Sequence, residues 1–220
     1  MEDDFKNIVS TDWLAQHLEA PDIRIIDSSW YFPQEKRNAE QEFLECHIPG
    51  ASFFDIDKIK DNDSDLPHML PPSEMFNSTV RKLGIGDGHK VVIYDGLGMR
   101  SAARLWWMFK VFGYSDVVVL DGGFPKWVKE NRSTTADITE KEIRHLTIYE
   151  DKSIVADRDD VLRATKLNHC SIIDARSEER FMGTAPEPRS GLRSGSIENS
   201  INVPYAVSYT HLRAHETATY

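Results

Sequence analysis

The sequence contains little cysteine. Only two of its 220 residues are cysteines, Cys46 and Cys170, and their spacing forms neither a CxxC pair nor a set of metal ligands. This excludes a disulfide-rich scaffold and a cysteine-based metal centre. A single structural disulfide is the alternative, but two cysteines in an ordinary globular chain are more often free thiols.

Long apolar runs and an excess of basic charge are also missing. No run approaches the roughly 18 apolar residues that a membrane helix needs. The formal net charge of -10 disfavours nucleic acid and anionic membranes as partners. The N-terminus begins Met1-Glu2-Asp3 and lacks the basic and apolar stretch of a leader peptide. These features predict a cytoplasmic protein without a cofactor, in which a small anionic substrate would need a local group of arginines.

The chain does contain short apolar runs that alternate with helical segments. Near-continuous apolar runs predict buried strands at residues 22–27, 90–95 and 116–121. Helical patterns are predicted at residues 40–46, 73–83 with Ser73 as the cap, 102–112 and 124–129. This order predicts an α/β fold in which helices cover both faces of a parallel sheet. Ligands in such folds bind beyond the carboxyl ends of the strands, so residues 95–101 are a candidate site loop.

An internal repeat is the most informative feature. The tripeptide Ile-Ile-Asp at residues 25–27 recurs at 172–174, an offset of 147 residues. The segment 47–54 has a weaker match at 196–203, an offset of 149 residues. Two ordered matches at nearly one offset indicate a duplication, although short matches also arise by chance.

The second copy is shorter than the first. The counterpart of the loop at 95–101 would fall beyond residue 220, so we expect one complete domain and only the start of another. The final residues, 207–220, fit neither copy and are interpreted as a non-native tail. They include His211 and His215, four positions apart, but two histidines without a third ligand are a weak metal signal and no metal site is predicted.

Several longer motifs resemble two-domain rhodanese-type sulfurtransferases. Residues 180–189 read Arg-Phe-x-Gly-Thr-x-Pro-Glu-Pro-Arg and resemble the substrate-binding segment of that family. Other matching motifs lie at residues 47–51, 53–57, 68–71, 101–107 and 120–123. The resemblance implies a rhodanese-like first domain at 8–130, a linker at 131–155 and the N-terminal part of a second, catalytic-type domain at 156–206.

The resemblance also implies an activity. These enzymes move a sulfane sulfur from a small anionic donor to a cysteine, and then to a thiol or another acceptor such as cyanide. Their nucleophile lies on a loop of the second domain, which this chain does not contain, whereas the first-domain loop at 95–101 lacks cysteine. Cys46 and Cys170 are interpreted as structural or incidental, since Cys170 precedes its strand and so lies at the wrong end for a ligand site.

The family has branches that act on 3-mercaptopyruvate and on thiosulfate. A guanidinium group can bind a carboxylate through two parallel hydrogen bonds, and 3-mercaptopyruvate carries a carboxylate. Arg180 and Arg189 match the two substrate-binding arginines of the mercaptopyruvate branch, which we therefore favour. A solvated basic face is the alternative, and the neighbouring Arg176 and Arg193 are expected to be structural.

Other first-domain residues match the family less firmly. Asp57 and His68 match an aspartate–histidine pair that assists the catalytic loop, in which the carboxylate fixes the imidazole tautomer. An ordinary surface histidine is the alternative. Arg100 departs from the aromatic residue frequent at its position, and it either adds charge to the cleft or points to solvent. A thiosulfate enzyme and a catalytically silent binding module remain alternative functions.

Overall fold

The computed structural model describes residues 7–167, 170–188 and 191–205. Contacts divide the chain into two compact units, with the division between Ile154 and Val155. Within the described ranges, no helix combines the length and the apolar composition needed to cross a bilayer.

Residues 7–154 of the first unit contain five strands and five α-helices. The strands are β1 (Ile8–Val9), β2 (Ile23–Asp27), β3 (Ser52–Phe53), β4 (Lys90–Tyr94) and β5 (Val117–Leu120). The helices are α1 (Thr11–Gln16), α2 (Ala39–Glu45), α3 (Ser73–Lys82), α4 (Ala102–Val111) and α5 (Gly123–Lys129).

All five strands form one parallel sheet in the order β1-β5-β4-β2-β3. The inner pair β2 and β4 is in register from Ile23 opposite Lys90 to Asp27 opposite Tyr94. The predicted parallel sheet is confirmed, and β4 and β5 are inner strands as expected from their uninterrupted apolar sequences.

Two apolar cores lie on opposite faces of this sheet. Because successive strand side chains point to opposite faces, Val91 and Ile93 of β4 contribute to one core while Val92 and Tyr94 contribute to the other. Helices α3 and α4 cover the first face, and helices α1, α2 and α5 cover the second. Every β4 residue after Lys90 is buried, which explains its continuous apolar sequence.

One helix start differs from the prediction. Ser73 is the first residue of α3 rather than its cap, and Pro72 holds the cap position in an extended conformation. Proline fixes φ near the value required there and cannot supply a capping side chain, so this helix begins without a side-chain cap.

The segment between α5 and Ile154 has no long regular element, but it contacts the first unit. Leu146 is 3% exposed and belongs to the core on the α3 and α4 face. The Asp151 N–H donates to the carbonyl of Val111 at 2.6 Å. The first unit therefore includes residues beyond the predicted end of its domain.

The described residues of the second unit contain fewer elements. They are α6 (Arg158–Ala164), β6 (Ile172–Asp174), α7 (Glu178–Phe181) and β7 (Ser200–Asn202). Strands β6 and β7 pair in parallel. Ile173 and Ile201 are 63% and 55% exposed, so these two side chains are largely uncovered within the described residues.

The local geometry of the first unit recurs in the second. Asp27 pairs with Phe53 across β2 and β3, and Asp174 pairs with Asn202 across β6 and β7. These partners lie 147 and 149 positions apart in sequence, as the repeat predicts.

A helix cap also recurs at the same offset. The side chain of Ser10 accepts from the Trp13 N–H at the start of α1, and that of Asp157 accepts from the Asp160 N–H at the start of α6. This shared cap supports the duplication independently of the two sequence matches.

Candidate active site

Three carboxylates lie at the carboxyl edge of the first-unit sheet. Asp27 ends β2, Asp95 follows β4 and Asp121 follows β5, and all three side chains are buried. This is the edge at which an open parallel sheet binds ligands, so the structure places charged groups where the sequence predicted a site.

The loop after β4 is folded around the Asp95 carboxylate. Oδ1 accepts from the N–H groups of Leu97 at 2.8 Å and Met99 at 3.2 Å. Oδ2 accepts from the N–H of Ala102, the first residue of α4, at 2.8 Å. The N–H groups of this loop and of the α4 N-terminus could bind an external anion, but here they donate to the protein's own Asp95 carboxylate.

Asp27 and Ser29 connect the end of β2 to this loop. The hydroxyl of Ser29 donates to Asp27 Oδ1 at 2.5 Å and accepts from the Gly96 N–H at 2.8 Å. Burial raises the pKa of Asp27 to about 6, although its hydrogen bonds from Ser29 act in the opposite direction. The carboxyl edge thus holds a titratable group near neutral pH.

Gly96 occupies a position with no room for a side chain. A Cβ placed there would lie 2.1 Å from the hydroxyl oxygen of Tyr31. That hydroxyl donates to Glu42 of helix α2 at 2.7 Å, so it is held in place. The arrangement leaves no space for a nucleophilic side chain at the start of this loop.

Asp57 and His68 form a hydrogen-bonded pair. His68 Nε2 lies 2.6 Å from Asp57 Oδ1, and the indole N–H of Trp30 donates to Asp57 Oδ2 at 3.0 Å. The rings of Trp30 and His68 meet edge to face with centroids 4.9 Å apart. The structure therefore brings the two predicted residues together and fixes the carboxylate from two sides.

His68 adopts a left-handed backbone conformation, with φ of 56°. The guanidinium of Arg104 donates to its carbonyl oxygen and also lies 4.6 Å from the centroid of the Trp107 ring. Burial lowers the pKa of Arg104. Arg104 belongs to a predicted motif, but neither it nor Trp30 was singled out, because only tertiary structure brings them to His68.

Arg100 does not simply point to solvent. Its Nη2 donates to Glu35 Oε2 at 2.8 Å, and the guanidinium lies 5.0 Å from the centroid of the Phe32 ring. Its charge is thus compensated by a neighbouring carboxylate.

In the second unit, Arg180 is engaged by an acidic residue of its own segment. Its Nε and Nη2 donate to Glu187 Oε2 at 3.1 and 2.6 Å. The Glu187 side chain is 4% exposed and that of Arg180 is 31% exposed. Arg189, the other predicted substrate-binding arginine, lies outside the described residues.

Arg176 completes this group of charges. It donates to both carboxylate oxygens of Asp174, to Glu187 Oε1 at 2.8 Å and to the carbonyl of Gly195 at 2.8 Å. The contacts lie within the second unit and are those of a structural residue. Hydrogen bonding by Arg176 keeps the pKa of Asp174 below its usual range.

Neither cysteine occupies a strand's carboxyl end. Cys46 follows the last turn of α2, where its N–H donates to Glu42, and Cys170 precedes β6. Both thiols are exposed and free. Among the described residues no three His, Cys, Asp or Glu side chains are arranged so that they could hold a metal ion, and His211 and His215 lie outside that part of the chain.

A parallel sheet with helices on both faces and a loop folded at its carboxyl edge defines a class of α/β domain. The family model described as "Rhodanese-like domain" matches residues 10–130 of this chain. The chain therefore belongs to the rhodanese-like family.

Curated relatives match beyond the first domain. The thiosulfate/3-mercaptopyruvate sulfurtransferase 1 of Arabidopsis thaliana, named as mitochondrial, is 43% identical over 90% of this chain and 58% of its own length. The 3-mercaptopyruvate sulfurtransferase of Rattus norvegicus is 40% identical over 91% of this chain and 70% of its own. The thiosulfate sulfurtransferase of the same organism is also 40% identical, over 91% and 70%. The chain thus spans between about three fifths and seven tenths of these relatives.

Solved structures agree with the fold. The crystal structure of SseA from Escherichia coli, described as a 3-mercaptopyruvate sulfotransferase with the rhodanese fold, has a TM-score of 0.82 and 39% identity. The match covers 90% of this chain and 74% of that one. Tum1 of Saccharomyces cerevisiae has a TM-score of 0.83 at 28% identity, over 93% and 71%. The fold class predicted from the sequence is confirmed.

Proposed function

We propose that this chain serves sulfur transfer from 3-mercaptopyruvate, through a cysteine persulfide, to a thiol or to cyanide. Membership of the rhodanese-like family and the named activities of its relatives support the reaction class. The choice of 3-mercaptopyruvate depends on one observation in particular. Arg180, in the segment that ends at Arg189, presents a partly exposed guanidinium in a fixed ion pair, and a guanidinium suits a substrate carboxylate.

The proposed chemistry balances without a cofactor. A cysteine thiolate attacks the sulfur of 3-mercaptopyruvate, so an S–S bond forms and the C–S bond breaks. The electron pair of the broken bond passes to the carbon, which takes up the thiol proton and leaves as pyruvate. An acceptor thiolate then removes the outer sulfur and regenerates the cysteine. Positive charge near the donor favours this sequence because the donor and the persulfide are anions.

The nucleophile in this proposal is neither Cys46 nor Cys170. A loop at the carboxyl end of a central strand of the second domain would supply it, with loop N–H groups free to stabilise a thiolate. In the first unit the equivalent donors already bind Asp95. We accordingly assign residues 8–130 to a non-catalytic domain, 131–155 to a linker that packs on that domain through Leu146, and 156–206 to part of the catalytic-type domain.

Asp57 and His68 are proposed to assist from the first unit. The carboxylate fixes one imidazole nitrogen at 2.6 Å, so the other nitrogen has a defined protonation state and can relay a proton. A cytoplasmic location is also proposed, on the acidic composition of the chain alone.

A thiosulfate donor is the second candidate, since a thiosulfate sulfurtransferase matches this chain as well as a 3-mercaptopyruvate enzyme does. The two candidates differ in the use of the arginines. Thiosulfate carries no carboxylate, so the loss of a carboxylate-binding guanidinium affects it less.

The test uses a chimera in which residues 1–205 continue into the remaining part of the rat 3-mercaptopyruvate enzyme. Replacing Arg180 or Arg189 with Ala should cost about 2–5 kcal/mol in transition-state binding of 3-mercaptopyruvate, as for truncating one side of a partly buried charge pair. That cost corresponds to roughly 30- to 5,000-fold in kcat/KM. Lysine should restore only part of it, because an ammonium is a point charge. Equal losses of kcat/KM with both donors in Arg189→Ala would reject the preference for 3-mercaptopyruvate.

A further inference from the structure

Glu187 lies inside the proposed substrate-binding segment, yet its carboxylate faces the protein. One oxygen accepts two hydrogen bonds from Arg180, and the other accepts one from Arg176 at 2.8 Å. The side chain is 4% exposed. Hydrogen bonding from Arg180 keeps the pKa of Glu187 below its usual range, so the carboxylate is ionised at neutral pH.

Arg176 anchors this carboxylate to the sheet. Its guanidinium holds Asp174, the last residue of β6, through contacts as short as 2.6 Å, and it also donates to the carbonyl of Gly195. The order Asp174, Arg176, Glu187, Arg180 therefore alternates in charge from the strand end to the proposed substrate-binding group. Each arginine has a carboxylate on at least one side, and the four charges sum to zero.

The contacts to Glu187 use a particular edge of Arg180. Nε and Nη2 form one edge of the planar guanidinium, and both are directed at Glu187 Oε2. The edge formed by Nη1 and Nη2 carries further N–H donors in the same plane. An arginine side chain loses about 2 kcal/mol of rotamer freedom when it is fixed, and here that ordering precedes any ligand.

We propose that Glu187 is a positioning residue that directs the Nη1–Nη2 edge of Arg180 toward the carboxylate of the sulfur donor. The proposal rests on the proposed function, in which Arg180 binds that carboxylate. Glu187 itself touches no substrate. It acts by holding the guanidinium plane, which allows a bidentate contact with the donor.

A purely electrostatic role for Glu187 predicts the opposite result on mutation. Its negative charge compensates Arg180, so removing that charge should strengthen the attraction of any small anion. Loss of orientation should weaken the binding of a carboxylate instead. The sign of the change therefore separates the two roles.

The test uses the 220-residue chain and pyruvate, which carries the same carboxylate and carbonyl as the proposed donor. Pyruvate is titrated into wild type, Glu187→Gln and Glu179→Gln, and its dissociation constant is measured by NMR. Glu179→Gln is the matched control, since it removes the same charge from an exposed side chain next to Arg180 in sequence. Glu187→Gln should weaken binding about fivefold or more, the size expected for one misdirected charge-assisted hydrogen bond. The control should stay within about twofold of wild type.

A second measurement does not depend on ligand binding. The order parameter of the Arg180 Nε–H bond vector, which reports how rigidly that bond is held, is measured by ¹⁵N relaxation in wild type, Glu187→Gln and Glu187→Asp. Order should be high in wild type, and should fall in Glu187→Gln and partly recover in Glu187→Asp. Unchanged order in Glu187→Gln, or tighter pyruvate binding by that variant, would overturn the positioning role. Failure of wild type to bind pyruvate, with order lost in Glu187→Gln, would instead reject the assignment of Arg180 to the substrate.

If Glu187→Gln does not fold, the wild-type chain still decides the question. The Arg180 Nε–H signal should keep its shift and its order while pyruvate is added, because the proposed ligand uses the other edge. Displacement of Glu187 by pyruvate would show that Glu187 competes with the ligand and would overturn the proposal.

Discussion

Asp27 is a buried carboxylate at the end of β2, and its burial has a consequence for stability. Its pKa is raised to about 6, from 3.8 for an exposed aspartate. Between these two values the folded protein keeps the proton that the unfolded chain has lost. The contribution of Asp27 therefore makes the fold less stable as pH rises from about 4 to about 6, by roughly 2–3 kcal/mol at 1.36 kcal/mol per pKa unit.

Asp27→Asn should remove this contribution, because the amide oxygen can still accept from Ser29 and no proton is lost. The measurement is the free energy of urea unfolding from pH 4 to pH 7, compared between wild type and variant. Asp65→Asn, at an exposed position, serves as the control and should follow the wild-type curve. Parallel curves for wild type and Asp27→Asn would contradict the assigned pKa.

Single residues were predictable from the sequence only where a motif marked them. Asp57 and His68 were chosen together and lie together, although their assisting role stays a prediction. Trp30, which fixes that carboxylate, and Glu187, which holds Arg180, were not identified as site residues. Their importance comes from partners that the chain brings together on folding, and no periodicity or composition signals such partners.

Among the elements, those with long periodic sequences were predicted well. The observed bounds of β4 and α4 lie within one or two residues of the predicted bounds. A continuous apolar run or a helical pattern is recognisable only over several residues, and both elements are long enough to show one. β1 has two residues and α1 has six, so neither carries enough pattern to be distinguished from a loop. Both are formed by pairing and packing with distant parts of the first unit.

The stabilising effect of the α1 cap can be tested by mutation. Ser10 accepts from the Trp13 N–H, so Ser10→Ala should lower the unfolding free energy of the first unit by about 1 kcal/mol. Ser78→Ala, at an exposed position inside α3, is the control and should cost nothing, because alanine favours helix. A Ser10→Ala variant as stable as the control would show that the cap has no energetic role.

At the scale of the whole molecule, the extent of the first unit can be tested directly. The family model ends at residue 130, whereas the buried Leu146 and the hydrogen bond from Asp151 to Val111 place later residues in the same unit. A chain cut after residue 130 should therefore be less stable than one cut after residue 154, by roughly 2 kcal/mol or more for the lost burial of one leucine. Equal urea midpoints for the two chains would show that residues 131–154 do not stabilise the first unit. Leu146→Ala in the longer chain should reproduce part of the loss.

In the proposed function, sulfur transfer requires a nucleophile on the second-domain loop, to which this chain contributes substrate-binding groups. The most direct measurement is mass spectrometry of the protein after reaction with 3-mercaptopyruvate, together with release of pyruvate. The chimera with the rat enzyme should gain one sulfur atom on the added loop cysteine and turn over, and the 220-residue chain should do neither above background. Turnover by the 220-residue chain that disappears in Cys46→Ser or Cys170→Ser would contradict the proposed position of the nucleophile, and a folded chimera that is inactive with this donor would contradict the proposed function.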